Sequence, residues 1–236
     1  MKKIIIVLFL FIYGLVSAQH TRQGLLQPSC ADYNLRGNPL KVTAIQKYEQ
    51  GNDVNFQEIF IFDTTGKLTQ YRKRGFGGER FTDYPLTRLD PQLHYDFDYD
   101  GDILRAIEFD MKKRLVSSTH YIYGRGGNLM QTVRYSYSNA DSGAVIERQV
   151  TIYDKHERPV TISTYTADEL LLVAIKLKYD RRGNNTLRRT TYYDEESTTV
   201  TSERRKYTYD THSNWTRCQY LLDDKPIYTI ERTIEY

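Results

Sequence analysis

One short pattern recurs along this chain and restricts its fold more than any other feature: an aromatic, Asp, two polar residues, Gly, then Asn or a basic residue. Tyr179-Asp180-Arg181-Arg182-Gly183-Asn184 is complete, and Phe62-Asp63-Thr64-Thr65-Gly66-Lys67 matches it closely. Tyr123-Gly124-Arg125-Gly126-Gly127-Asn128 keeps the ends and loses the Asp. Tyr153-Asp154-Lys155-His156-Glu157-Arg158 and Tyr209-Asp210-Thr211-His212-Ser213-Asn214 keep the front and lose the Gly. The second position runs 124, 154, 180 and 210, giving spacings of 30, 26 and 30. A degenerate copy at Tyr99-Asp100-Gly101-Asp102 fills the gap back to Asp63. Repetition at this period defines a repeat architecture.

Each part of the pattern has a local cause. Aromatics at alternate positions belong on strands, where cross-strand packing favours them. An Asp at the strand end accepts a hydrogen bond from backbone N–H groups two residues on and starts a turn. A Gly then supplies the positive φ that closes a hairpin through a type I turn and bulge. A second set of turn signals falls between these corners, at Ser138–Gly143, Ala167–Glu169, Asp194–Ser197 and Asp223–Pro226. No stretch carries a convincing 3.6-residue periodicity. The expected fold is all-β, a long antiparallel meander of repeated hairpins with about a dozen strands. Residues 19–39 read as an irregular N-terminal segment and 40–236 as the repeat domain.

The strands alternate weakly. Leu171, Val173, Ile175, Leu177 and Tyr179 share one face, with Lys176 and Lys178 on the other. The last strand sets Tyr228, Ile230, Ile234 and Tyr236 against Thr229, Glu231, Thr233 and Glu235. Thr199 to Lys206 and Gln70 to Arg74 carry charge on both faces. Tyr supplies 21 of the aromatics, so a thick aliphatic sandwich is not expected. The expected sheet is extended, twisted or curled, and partly single-layered. An outer-membrane barrel needs a continuous apolar outer band, in which a midplane Arg or Lys costs about 2–4 kcal/mol. Strands charged on both faces do not supply it.

The motif resembles the YD repeats of Rhs-like cell-surface proteins, carried best by Phe60-x-Phe62-Asp63-x-x-Gly66-Lys67 and Tyr207-x-Tyr209-Asp210-x-x-Ser213-Asn214. It covers most of residues 54–236. The chain is also similar to small secreted bacterial β-hairpin repeat proteins of unassigned function. The resemblance implies an extended or curled sheet at the cell surface or in the periplasm. The shell and toxin domain of large family members do not carry over to a chain this short.

The N-terminus reads as a signal peptide over 1–18: Lys2 and Lys3, an apolar stretch from Ile4 to Val16, then small residues to Ala18. The expectation is export to the periplasm or cell surface of a Gram-negative bacterium, with no transmembrane span after removal. The formal charge of +3 then falls to +1 with the two lysines, too balanced for a nucleic-acid binder. The basic runs at 72–74, 112–114, 188–189 and 204–206 read as solvated strand faces or, alternatively, sites for an anionic ligand. Cys30 and Cys218 either pair in an oxidising compartment or remain two free thiols; sequence leaves both open.

Catalytic fingerprints are lacking: there is no His-Glu-x-x-His, Gly-x-Ser-x-Gly or phosphate-cradling loop, and the five histidines do not cluster. The chain is therefore read as non-catalytic, with no cofactor and no metal. Asp96, Asp98, Asp100 and Asp102 alternate and would suit a hard cation, or simply mark an acidic strand end. The candidate binding residues surround the last corner. With a loop at 210–214, Tyr209 is expected opposite Trp215 and Tyr207 opposite Arg217, an aromatic and guanidinium surface suited to a sugar or an anionic group. The expected role is a cell-envelope binding module for a glycan or protein. The alternative is a structural sheet that self-associates through unprotected terminal strands.

Overall fold

The computed structural model describes residues 33–48, 54–75, 82–84, 94–100, 102–138 and 143–236. The expected signal peptide and Cys30 lie outside them. Fifteen strands form: β1 (Lys41–Tyr48), β2 (Val54–Phe62), β3 (Leu68–Gly75), β4 (Thr82–Tyr84), β5 (His94–Asp100), β6 (Asp102–Phe109), β7 (Leu115–Tyr123) and β8 (Leu129–Tyr137). They continue as β9 (Val145–Tyr153), β10 (Pro159–Thr166), β11 (Leu171–Tyr179), β12 (Asn185–Tyr193), β13 (Thr198–Tyr209), β14 (Trp215–Leu222) and β15 (Lys225–Glu235). All join one antiparallel sheet, and no α-helix occurs among the described residues. The all-β meander expected from the repeat is what forms, with three strands more than the dozen read from the turns.

The order of strands is not the order of the chain. It runs β4-β3-β2-β1-β15-β14 and onward down to β5. The two terminal strands zip together, from Lys41 opposite Glu235 to Tyr48 opposite Tyr228, and lie inside the sheet. The edges are β4 and β5, which are consecutive in sequence. This overturns the expectation of unprotected terminal strands. Lys41–Glu235 and Lys47–Glu231 ion pairs flank the junction, at 2.7 and 2.6 Å.

That topology forces a curl. Laid flat, fifteen strands would hold β4 and β5 about 67 Å apart. The chain from Tyr84 to His94 reaches at most about 36 Å. The sheet therefore bends round on itself, without a ladder between β4 and β5 among the described residues to close it as a barrel. One face becomes concave and buried: Val42, Ala44, Phe60, Cys218, Tyr228 and Ile230 all lie on it. The convex face carries the exposed lysines of β11.

The corners show why the repeat is spelled as it is. At 63, 110, 124, 154, 180 and 210 the same turn closes, its first residue bonding through its N–H to the carbonyl four residues on and accepting the N–H three residues on. The residue three past the corner start always has positive φ: Gly66, Gly127 and Gly183, but also Lys113, Glu157 and Ser213. The corner Asp caps the turn through one carboxylate oxygen, which accepts the N–H groups two and four residues on. This holds at Asp63, Asp110, Asp154, Asp180 and Asp210. The Asp110 corner escaped the sequence pattern, and it sits at the opposite end of the sheet from the other five. At Asp180 and Asp210 the second oxygen accepts a hydroxyl from a later tyrosine, Tyr209 and Tyr236. The tyrosine of one repeat thus ties to the aspartate of the one before.

The same bonds make the corners acid-sensitive. Hydrogen bonds from Thr65 lower the Asp63 pKa, and those from Arg114 lower that of Asp110. At Asp154 and Asp210 burial opposes ionisation, but the bonds from Arg158 and His156, and those from Tyr236, Asn214 and His212, together outweigh it and both values fall below 3.8. Depressed folded values mean stability that is present above the unfolded value and lost as pH falls through the folded ones. We expect the urea midpoint to drop steadily between about pH 5 and pH 2. An Asp154→Asn variant should start lower at pH 7 and fall less steeply over the same window.

Candidate functional site on the concave face

The expected aromatic cluster forms, but with a different cation. A bulge between Thr208 and Tyr209 shifts the β13–β14 register. Tyr209 still faces Trp215, while Tyr207 faces Cys218 and Thr208 faces Arg217. Arg217 is therefore turned to the convex side, where it is exposed. The symmetric hairpin assumed from sequence does not allow for that extra residue. Tyr207 lies 6.2 Å from Tyr209 and 5.8 Å from Trp215, ring centre to ring centre. The cation on Trp215 comes from β15 instead: the Arg232 guanidinium sits 3.5 Å from its ring centre. Trp215 is only 9% exposed, so the surface is an interior one.

Arg232 is one of three polar side chains that interrupt the apolar stripes of adjacent strands. Ala44 on β1 is opposite Arg232 on one side and Glu58 on the other. Its small side chain leaves the two larger groups flanking a shallow row. Gln46, two residues on, lies between Ile230 and Phe56. Gln46 is 0%, Glu58 4% and Arg232 9% exposed. Glu58 accepts the Tyr71 hydroxyl on one oxygen at 2.5 Å and has Lys73 at 3.6 Å. Its other oxygen, both polar atoms of the Gln46 amide, and Nε and Nη1 of Arg232 have no hydrogen-bond partner among the described residues. An unpaired buried polar group costs about 1–3 kcal/mol, more when charged. Contact with the Trp215 face offsets part of this for the guanidinium. Burial pulls the Arg232 pKa down to about 10, which leaves it charged at neutral pH.

Around this row stand Tyr220 and Tyr228, stacked at 4.2 Å, and Arg205, whose guanidinium lies 4.8 Å from the Tyr220 ring. Arg205 keeps Glu203 at 3.6 Å. Burial pushes the Cys218 thiol and the Tyr220 hydroxyl up to about 12, and moves Tyr207 and Tyr228 in the same direction. Cys218 forms no disulfide among the described residues and is 1% exposed. The set offers flat aromatic faces and fixed charges, which is chemistry for stacking and hydrogen bonding. Arg232, Glu58 and Gln46 were missed in the sequence, although the signal was present. Each breaks an alternating apolar run, Tyr228-x-Ile230-x-Arg232-x-Ile234 being the clearest. Of the alternating acids, Asp96 and Asp98 are exposed, the side chains of Asp100 and Asp102 lie outside the described residues, and no metal-ligating cluster occurs among the described residues.

Fold and site together define a curled, repeat-like β-sheet protein with a polar and aromatic interior. No family model and no curated protein matches the chain. Among solved structures it is similar to a porin-like protein from Bacteroides uniformis ATCC 8492, 10% identical over 85% of this chain and 99% of that one, with a TM-score of 0.41. A porin-like protein from Bacteroides vulgatus ATCC 8482 matches at 11% identity over 83% and 97%, TM-score 0.36. A TcdB2-TccC3-TEV structure matches at 14% identity over 74% of this chain and 14% of that one, TM-score 0.20. The structural neighbours thus include porin-like proteins and Tc toxin chains. No helix among the described residues is long and apolar enough to cross a membrane.

Proposed function

We propose that this chain is an exported, non-catalytic binding module of the cell envelope that receives a glycan or protein segment on the aromatic and guanidinium part of its concave face. The observation that carries this reading is the row of unpartnered polar atoms on Arg232, Gln46 and Glu58 beside Trp215. Such groups weaken a fold unless something else requires them. A sugar or peptide entering the curl would present hydroxyls or backbone groups to them once the side chains that cover the row move aside. The Cys218 thiol, pushed up to about 12 by burial, favours a packing role over a nucleophilic one. The leader-like residues 1–18 support export.

The rival reading, a self-associating sheet, would use the β5 edge, which pairs with no further strand among the described residues. Asp96 and Asp98 stand exposed on one face of that strand. A symmetric pair of such strands would set like charges opposite one another, which opposes pairing. The experiment that separates the two is recovery of partners from native envelope extract on tagged protein, with both sugars and proteins identified. Saturable recovery of one component, lost in Trp215→Ala with an unchanged circular dichroism spectrum, is the expected result. Recovery of nothing but the protein's own chain would overturn the binding reading.

A further inference from the structure

The convex face of β11 to β14 carries a feature independent of the concave site. Lys176 and Lys178 on β11, Arg189 on β12, Arg204 and Lys206 on β13 and Arg217 on β14 all point outward and are exposed. The single acid in these four strands, Glu203, faces inward, where it lies 3.8 Å from Arg188 and 3.6 Å from Arg205. Arg204 pairs with Asp224 at 2.9 Å; the other five cations have no ion pair among the described residues. Lys176 is directly opposite Arg189, an arrangement that costs stability in a sheet. Glu231, opposite Arg217, is held by Lys47 at 2.6 Å. The basic runs of the sequence therefore sort by face: Arg188 and Arg205 go to the interior, and their neighbours Arg189, Arg204 and Lys206 form the outer belt.

We infer that this belt binds a linear acidic polysaccharide, one with carboxylate or sulfate groups repeated along the chain. Charge complementarity fixes the sign of the partner. Curvature fixes its form, because a convex face meets a flat lipid surface along one line, whereas a flexible chain can follow it across four strands. The side chains between the cations, Thr191, Ser202, Thr208 and Gln219, supply hydrogen-bonding groups suited to sugar hydroxyls. Beyond the belt the β12–β13 turn holds Asp194, Glu195 and Glu196, all exposed, which would repel an anionic membrane pressed against that end.

The test is affinity for heparin, a sulfated and carboxylated linear glycan, measured against salt for the whole protein. Controls are neutral dextran, phosphatidylglycerol vesicles and single-stranded DNA. A Lys178→Gln/Arg189→Gln/Arg204→Gln variant alters only exposed positions. It should bind heparin at least ten-fold more weakly with a shallower salt dependence, while its melting temperature holds or rises as repulsion is relieved. A Lys178→Arg/Arg189→Lys variant should bind as the parent does. Undiminished binding in the Gln variant would overturn the inference, as would stronger binding to vesicles or to DNA, or no binding to heparin. Failure here leaves the concave site untouched, because that site is tested through Trp215 and Arg232.

Discussion

Replacing Asn214 with alanine is expected to lower folding stability by about 2–3 kcal/mol, from the loss of several hydrogen bonds at a buried group. Asn214 occupies the last slot of the final corner and is 1% exposed. Its amide accepts the N–H of Arg36 and donates to the carbonyl of the same residue, both at 2.7 Å, and donates also to the Tyr236 hydroxyl at 2.7 Å. It holds the irregular segment of residues 33–39 across the corner end of the sheet. That segment places Leu35 in a cluster with Val42, Phe60, Phe62 and Leu68, and Tyr33 against the Phe60 ring at 4.9 Å. Asn184, the same slot one corner earlier, accepts a bond from the Asn34 side chain at 2.9 Å. It grips less backbone, so Asn184→Ala should cost about half as much. Urea denaturation gives both values, and hydrogen exchange at residues 33–40 should speed up in Asn214→Ala. A loss below about 1 kcal/mol, the value of one ordinary hydrogen bond, would mean that the segment is not held in this way.

Arg232→Met is expected to do the opposite and raise stability by about 1–3 kcal/mol, as apolar replacement of buried charges does elsewhere. The guanidinium is buried with two nitrogens unpartnered among the described residues, between Trp215 and Ala44. Methionine fills comparable volume, keeps contact with the indole, and leaves no charge to desolvate. The Glu58 carboxylate retains Tyr71 and Lys73, so the variant does not strand it. A stability gain would identify Arg232 as a residue the fold tolerates rather than needs. A loss of about 3–5 kcal/mol, the range seen when a buried pair is broken, would make it structural.

Much of the architecture was legible because the corners are local chemistry. An Asp that caps its own turn and a Gly at positive φ announce themselves within six residues, and five of the six corners follow from that pattern. The sixth, at Asp110, has Met111 where the other five carry a polar residue, and it lies at the other end of the sheet, out of step with their spacing. Pairing of β1 with β15 was not legible, because sequence neighbours predict only hairpins and this ladder joins residues nearly the whole chain apart. The site was half legible. Tyr207, Tyr209 and Trp215 do come together, since a hairpin fixes them locally. Arg217 was lost to a one-residue bulge, which sends every later side chain to the other face. Arg232 arrives from the far side of β14 and showed itself only as a charge inside an apolar stripe.

The most direct measurement is the emission of Trp215, the chain's single tryptophan, titrated with the polysaccharide fraction of envelope extract in parent protein and Arg232→Met. A concave binding site requires a saturable shift in the parent and its loss in Arg232→Met, even though that variant is the more stable of the two. Identical titrations in both proteins, or no shift in either at any concentration, would contradict a glycan site built on Arg232 and Trp215.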